Sequence, residues 1–234
     1  MRPMAEWLES ISVFPVVLTL AAFWLAKTCQ KQWKSPALNP ILIGAVLVIG
    51  FLLLTGMDPA VYKAGTAKLS WLMTPATVSL AIPMYEQMRV LKKNGKAIAV
   101  GAVAGVIGCM VTVTACAAVL GLEKELTIAL LPKSVTTAIG VPLCELYGGI
   151  GSVTTAVIVA SGVFANMLGT TFCKWFRITS PVAQGVAYGT AGHMIATVRA
   201  EELGQLEGAV SGVSLVIAGL VTAVIFPVFA GFIL

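Results

Sequence analysis

Leu130-Leu131-Pro132-Lys133-Ser134-Val135-Thr136-Thr137-Ala138-Ile139-Gly140 is the stretch that decides the fold. These eleven residues hold a proline, a lysine, three hydroxyls and a glycine. They lie in the middle of a chain that is 58% hydrophobic and only 11% charged. A soluble domain carries about 25% charged residues, so the surroundings are those of an integral membrane protein. A lipid-facing helix has no use for this mixture. A polar site inside a membrane does, because backbone broken by proline must find its partners within the protein.

Outward from that stretch, the apolar runs are long enough to be spans, given that a crossing takes about 20 residues. A first span covers residues 11–26. It is preceded by Glu6 and Glu9 and has no basic leader, so it reads as a span and not a signal peptide. Lys27, Lys31 and Lys34 close it, and a second span covers 41–55. Asp58, Lys63 and Lys68 read as a mixed-charge loop. A third span, 69–88, contains Pro75 and Pro83, each of which removes a helical hydrogen bond and predicts a break. Arg89, Lys92, Lys93 and Lys96 form the strongest basic cluster and mark a cytoplasmic side. The fourth span, 97–120, carries Gly101 and Gly105 at GxxxG spacing, which allows close helix contact. Beyond 126–141 come a Gly148–Gly151 hinge, a span over 152–169, the weakly apolar segment 181–198 and a last span from 208. Gly140, Gly189 and Gly192 are further candidate breaks.

Charge bias tests whether 126–141 crosses. With 27–34 and 89–96 inside, a full crossing puts Lys174 and Arg177 outside. A segment that dips in and returns puts them inside, as the positive-inside rule prefers. The alternative is a plain crossing with two outside cations. An offset of 57 residues also matches Leu69, Pro75, Val78, Ala81-Ile82, Ala99-Val100 and Gly105-Val106 to identical residues in 126–163, nine identities over 38 positions. This predicts an internal repeat, a common feature of transporters with broken helices at the midplane. The alternative is a chance likeness of Val-, Ala- and Gly-rich helices.

The chemistry is not that of an enzyme. His193 is the only histidine, and there is no G-x-S-x-G, H-E-x-x-H or phosphate-binding loop. The five cysteines form no CxxC pair and have no histidine at ligand spacing, so no metal or cofactor is expected. The net charge of +5 is spread in short clusters between spans, which is a topology signal and not a nucleic-acid one. An anion site fits better. Pro132 marks a half-helix start, whose unpaired N–H groups and dipole favour a carboxylate. Ser134, Thr136 and Thr137 can donate hydrogen bonds there, or bond back to their own helix. Lys133 can supply a counter-charge, or snorkel to the headgroups. Thr190 and His193 form a second polar element, with a packed, hydrogen-bonded histidine as the bland alternative. Arg199 is either a bidentate carboxylate clamp or part of an interfacial cluster with Glu201 and Glu202. Asn39 is either a helix cap before Pro40 or a site residue.

Four groups of residues carry a resemblance: Leu38-Asn39-Pro40; Pro75-Ala76-x-Val78-x-Leu80-Ala81-x-Pro83-x-Tyr85-Glu86; Leu131-Pro132-Lys133-Ser134-Val135-Thr136-Thr137; and Gly189-Thr190-Ala191-x-His193 with Ala200-Glu201. On these the chain resembles the LrgB/CidB family of bacterial membrane proteins nearly end to end. It departs at Ala138, where relatives often have proline, and at Gly192, where serine is commoner. The resemblance implies two functions. One is a subunit that moves small monocarboxylates of the pyruvate, glycolate and lactate type, as plastid glycolate/glycerate relatives do. The other is an antiholin- or holin-like modulator of murein hydrolase activity and autolysis. It also implies a small LrgA/CidA-type membrane partner and a multi-pass place in the bacterial cytoplasmic (inner) membrane, among lipid.

The expectation is therefore an all-α polytopic membrane protein forming one transmembrane domain over 1–234. It has seven or eight hydrophobic segments, broken or re-entrant in one or two places, in a transporter-like arrangement compatible with a homo-oligomer. Its leading function is carriage of a small carboxylate anion.

Overall fold

The computed structural model describes residues 13–33, 40–72, 75, 78–79 and 81–233. Among these, all regular structure is helical. They divide into two compact units, residues 1–79 and 80–234.

The first unit contains α1 (Phe14–Trp33), α2 (Pro40–Thr55) and α3 (Pro59–Trp71). α1 and α2 run antiparallel. Phe14 and Phe51 meet with tilted rings, their centroids 5.7 Å apart, and Gly44 packs on Ala22 and Phe23. The expected mixed-charge loop is instead α3. Asp58 caps it, its Oδ1 accepting the Ala60 N–H at 2.8 Å, and Pro59 takes the first helical position, where no donor is missed. Thr19 and Tyr62 hydroxyls meet at 2.7 Å and tie α3 to α1.

The second unit contains α4 (Ala81–Glu86), α5 (Met88–Leu120), α6 (Lys124–Leu130), α7 (Thr137–Leu146), α8 (Gly151–Trp175), α9 (Pro181–Leu203) and α10 (Gln205–Ile233). α5, α8 and α10 are each long and apolar enough to cross a membrane. α5 begins nine residues before the expected span, so the basic cluster Arg89–Lys96 rides on its first turns. Pro83 lies in the first turn of α4, where proline breaks nothing; the interruption falls at Gln87, between α4 and α5. Pro75 is helical in backbone and exposed, with neighbours on both sides outside the described residues.

α6 and α7 hold seven and ten residues, roughly 10 and 15 Å, too short to cross singly. They do not add up to one crossing either. Gly149 lies so close to α6 that a Cβ on it would come within 2.8 Å of Ile128 and 3.2 Å of the Ala129 nitrogen. In a continuous helix those positions would be roughly 30 Å apart. The segment therefore dips in along α6, turns at 131–136 and returns along α7. The hairpin shares a buried core with Val106 and Met110 of α5 and Ala218 and Phe226 of α10, Phe226 meeting Tyr147 just past the end of α7. Gly140 sits within α7, pressed against Ile158 and Pro132, and is a close-packing residue where the sequence suggested a break.

α9 also reverses. Its backbone leaves the helical region at Gly192 (φ −133°, ψ 18°) and His193 (φ 42°, ψ −138°). Before the break it runs parallel to α10, with Gly185 against the Glu207 carbonyl and Gly189 against the Ser211 carbonyl. After the break it runs antiparallel to α10, with Thr197 bonded to Ser211 at 2.8 Å and Glu201 packed on Gly208. Both of its ends lie on the side of Ile178: Gln184 Nε2 donates to the Ile178 carbonyl at 2.7 Å, and Leu203 and Ile178 pack against the same buried cluster of Cys173, Tyr188, Ala196 and Ala200. Gly189, proposed as a break, is helical and serves the seam with α10; the break is Gly192–His193.

The unit is thus two hairpin-plus-helix repeats, α6–α7–α8 and α9–α10, whose hairpins open at opposite ends of α8. This repeat pairs 124–175 with 181–233, where the sequence echo paired 69–106 with 126–163. Contacts of Gly101 with Val186 and of Gly105 with Thr190 set α5 parallel to the first arm of α9 and so opposite to α8. Lys174, Arg177 and Arg199 then share an end with Arg89, Lys92, Lys93 and Lys96. The other end carries Glu123, Lys124, Glu125 and Glu145. The re-entrant hairpin gives the charge asymmetry that the positive-inside rule requires.

Candidate functional site: two hairpin tips on one helix

Each tip is a place where helical hydrogen bonding has been given up, so each exposes backbone groups that need partners. In the first tip, Lys133 N bonds the Leu130 carbonyl at 3.3 Å and Val135 N bonds the Pro132 carbonyl at 3.3 Å. Thr136 then caps α7 in extended backbone without spending its side chain on the cap. Its carbonyl accepts from Ile139 N and Gly140 N at 3.0 and 2.8 Å, so the N–H groups of Thr137 and Ala138 precede the first intrahelical bond.

α8 holds this tip. Thr154 Oγ1 donates to the Ala129 carbonyl at 3.0 Å, and Ser161 Oγ donates to the Lys133 carbonyl at 2.5 Å. Ser161 lies ten residues from the start of α8, roughly 15 Å in. The Lys133 backbone is therefore near mid-depth, further from headgroups than a four-carbon stem extends. Lys133 is half-buried. Its Nζ reaches the Ser134 hydroxyl at 3.4 Å, and among the described residues no carboxylate lies within ion-pair distance. Ser134 is buried, 3.3 Å from Cys109 Sγ on α5.

The second tip meets the same turns of α8. His193 Nε2 lies 3.0 Å from the Ile158 carbonyl, and Asn166 Nδ2 donates to the Ile195 carbonyl at 2.8 Å. A Cβ on Gly162 would come within 2.9 Å of His193 Nε2, so this glycine is the seat of the imidazole. Thr197 Oγ1 donates to the His193 carbonyl at 2.9 Å and meets Ser211 Oγ at 2.8 Å. Thr190 donates to the Val186 carbonyl of its own helix at 2.7 Å, a bond back to the preceding turn.

Of the residues expected in the site, Lys133 and His193 are brought to adjacent turns of α8. Ser134 and Thr190 are brought to adjacent turns of α5, through Cys109 and Gly105. Thr136 and Thr137 flank the first tip, half-buried and exposed respectively. Arg199 is not brought in. It lies two turns past the second tip and pairs with Glu202 at 2.6 Å. Asn39 lies outside the described residues. Sequence reasoning missed Ser161, Asn166, Thr154 and Gly162. The available signal was a serine, a threonine and an asparagine inside an apolar span, where polar groups in lipid are expensive.

A model of the LrgB-like family matches residues 19–232. The chain belongs to the LrgB-like family. It is 34% identical over 221 residues to proteins named Antiholin-like protein LrgB from Bacillus mycoides (strain KBAB4), Bacillus cereus (strain B4264) and Bacillus anthracis (strain CDC 684 / NRRL 3495), covering 94% of this chain and 96% of each relative. No solved structure matches. The two LrgB-like motifs read from the sequence, 131–137 and 189–193, are the two hairpin tips.

Proposed function

We propose that this chain is a carrier subunit for small monocarboxylates of the pyruvate, glycolate and lactate type. The observation that carries the reading is the approach of two re-entrant tips, from opposite ends, to one turn of α8. Broken helices meeting at mid-depth within inverted repeats are how many secondary transporters build a substrate site. The leading α7 N–H groups and Lys133 form the anion-binding half, and Ser134, Thr136 and Thr137 orient the carboxylate. A single carboxylate suits one lysine and one helix start. Such a carrier needs no catalytic residue and no cofactor. The basic end of the second unit faces the cytoplasm of a bacterial inner membrane. A small LrgA/CidA-type membrane protein is the natural partner, on the family resemblance. Uptake of labelled pyruvate or glycolate into proteoliposomes, with and without that partner, tests the reading; no saturable uptake in either case would reject it.

The second reading is an antiholin-like modulator of murein hydrolase activity and autolysis. The names of the relatives at 34% identity favour it over transport. A deletion strain with altered autolysis and unchanged carboxylate flux would select it.

A further inference from the structure

One helix turn serves both hairpins, and the hydroxyl on it has a single proton. Ser161 Oγ lies 2.5 Å from the Lys133 carbonyl and 3.0 Å from the Ile158 carbonyl. Both neighbours are acceptors only, so Ser161 donates to one at a time. The short distance assigns the proton to Lys133. The Ile158 carbonyl, about a third of the way along α8, receives the helical N–H four residues on and also His193 Nε2–H at 3.0 Å. Its two lone pairs are then filled. Should the Lys133 carbonyl move away, the other acceptor within reach of Ser161 among the described residues is Ile158, where the hydroxyl competes directly with His193.

We propose that Ser161 is a positioning residue that couples the two hairpins in opposition: its hydroxyl anchors the first tip, and when that tip leaves, it displaces His193 and loosens the second. Back-bonding of serine to its own helix explains the Ile158 contact alone. It does not explain the shorter bond across to Lys133. The functional use of this coupling rests on the carrier reading, since a carrier must open its two sides in turn. The coupling itself can be measured without transport.

The test is amide hydrogen exchange of the full chain in nanodiscs of phosphatidylethanolamine and phosphatidylglycerol, followed in peptides covering 130–137 and 190–197. Ser161→Ala removes the anchor of the first tip and the competitor of the second. Exchange in 130–137 should rise about fivefold, the loss of one net hydrogen bond, while exchange in 190–197 stays protected or slows. Ser161→Thr, which keeps the hydroxyl, should restore both. Thr154→Ala, which frees α6 from α8 by a different bond and keeps the Ser161 hydroxyl, should loosen 130–137 and, through Ser161, raise exchange in 190–197 as well; a loosened 130–137 with 190–197 unchanged would overturn the coupling. Faster exchange of both tips in Ser161→Ala would show a plain packing role and overturn the proposal, and so would an unchanged 130–137. Wild-type chain that takes up no carboxylate, with the opposed shifts intact, would reject the carrier reading and leave the coupling standing.

Discussion

His193 donates its Nε2–H to the carbonyl oxygen of Ile158 across 3.0 Å, and this bond fixes a left-handed residue to the interior of a spanning helix, about two turns from its start. The carbonyl can only accept, so the ring proton is on Nε2. At φ 42° a residue with a side chain sits where glycine is at ease, at a cost of about 1–3 kcal/mol. The imidazole bond and the burial around it hold the strain in place. Strain of this kind concentrates where a protein must switch or bind.

That balance gives the first prediction. His193→Ala keeps the strain and loses the bond, whereas His193→Gly loses both. Thermal unfolding in detergent should therefore rank wild type above His193→Gly and His193→Gly above His193→Ala. A glycine variant less stable than the alanine variant would mean that the turn is not strained.

The α9–α10 seam predicts a steric contrast. A Cβ at Gly189 would lie 2.3 Å from the Ser211 carbonyl oxygen, a backbone atom that cannot rotate aside. Overpacking of this kind costs about 1–3 kcal/mol. Gly108 on α5 has nothing within 4 Å of its Cβ position. Gly189→Ala should lower the unfolding temperature. Gly108→Ala should hold or raise it, by a helix-propensity gain of up to about 1 kcal/mol. Equal effects would contradict the described packing.

Topology can be read by labelling. In a background cleared of the five native cysteines, Glu123→Cys and Glu145→Cys should react with an impermeant maleimide from the same side of the membrane. Lys174→Cys should react from the other. A plain crossing of 126–141 would place Glu123 and Glu145 on opposite sides.

These contrasts show what the sequence could carry. Pro132, the hydroxyls and the charges at 174 and 177 pointed toward a re-entrant or broken segment and left a plain crossing open, because proline and charge act locally and at the membrane surface. The GxxxG pair correctly foretold close packing of α5. The reversal of α9 was less legible: the segment stood out as weakly apolar, yet nothing local distinguishes the break at Gly192 from the packing glycine at Gly189. That difference is decided by what α10 presents. α3 was read as a loop because its charges outweighed the Asp58-Pro59 cap signal. Ser161 and Asn166 were invisible as site residues because their partners, the carbonyls of Lys133 and Ile195, are 28 and 29 residues away and belong to backbone any sequence could supply.

Lys133 decides whether the tips form an anion site. Its backbone is anchored at mid-depth by Ser161, its ammonium meets the Ser134 hydroxyl, and among the described residues no carboxylate neutralises it. A cation left in this state is costly in a membrane unless an anion visits it. Lys133→Met keeps the stem and removes the charge. A charge-assisted hydrogen bond contributes about 1.5–3 kcal/mol, so the concentration for half-maximal uptake of pyruvate or glycolate should rise roughly 10- to 150-fold. Lys133→Arg should retain part of the affinity, since it keeps the charge with a different fork of donors. Measured in proteoliposomes over a range of substrate concentrations, unchanged saturation in Lys133→Met would remove Lys133 from the site and return the tips to a purely structural role.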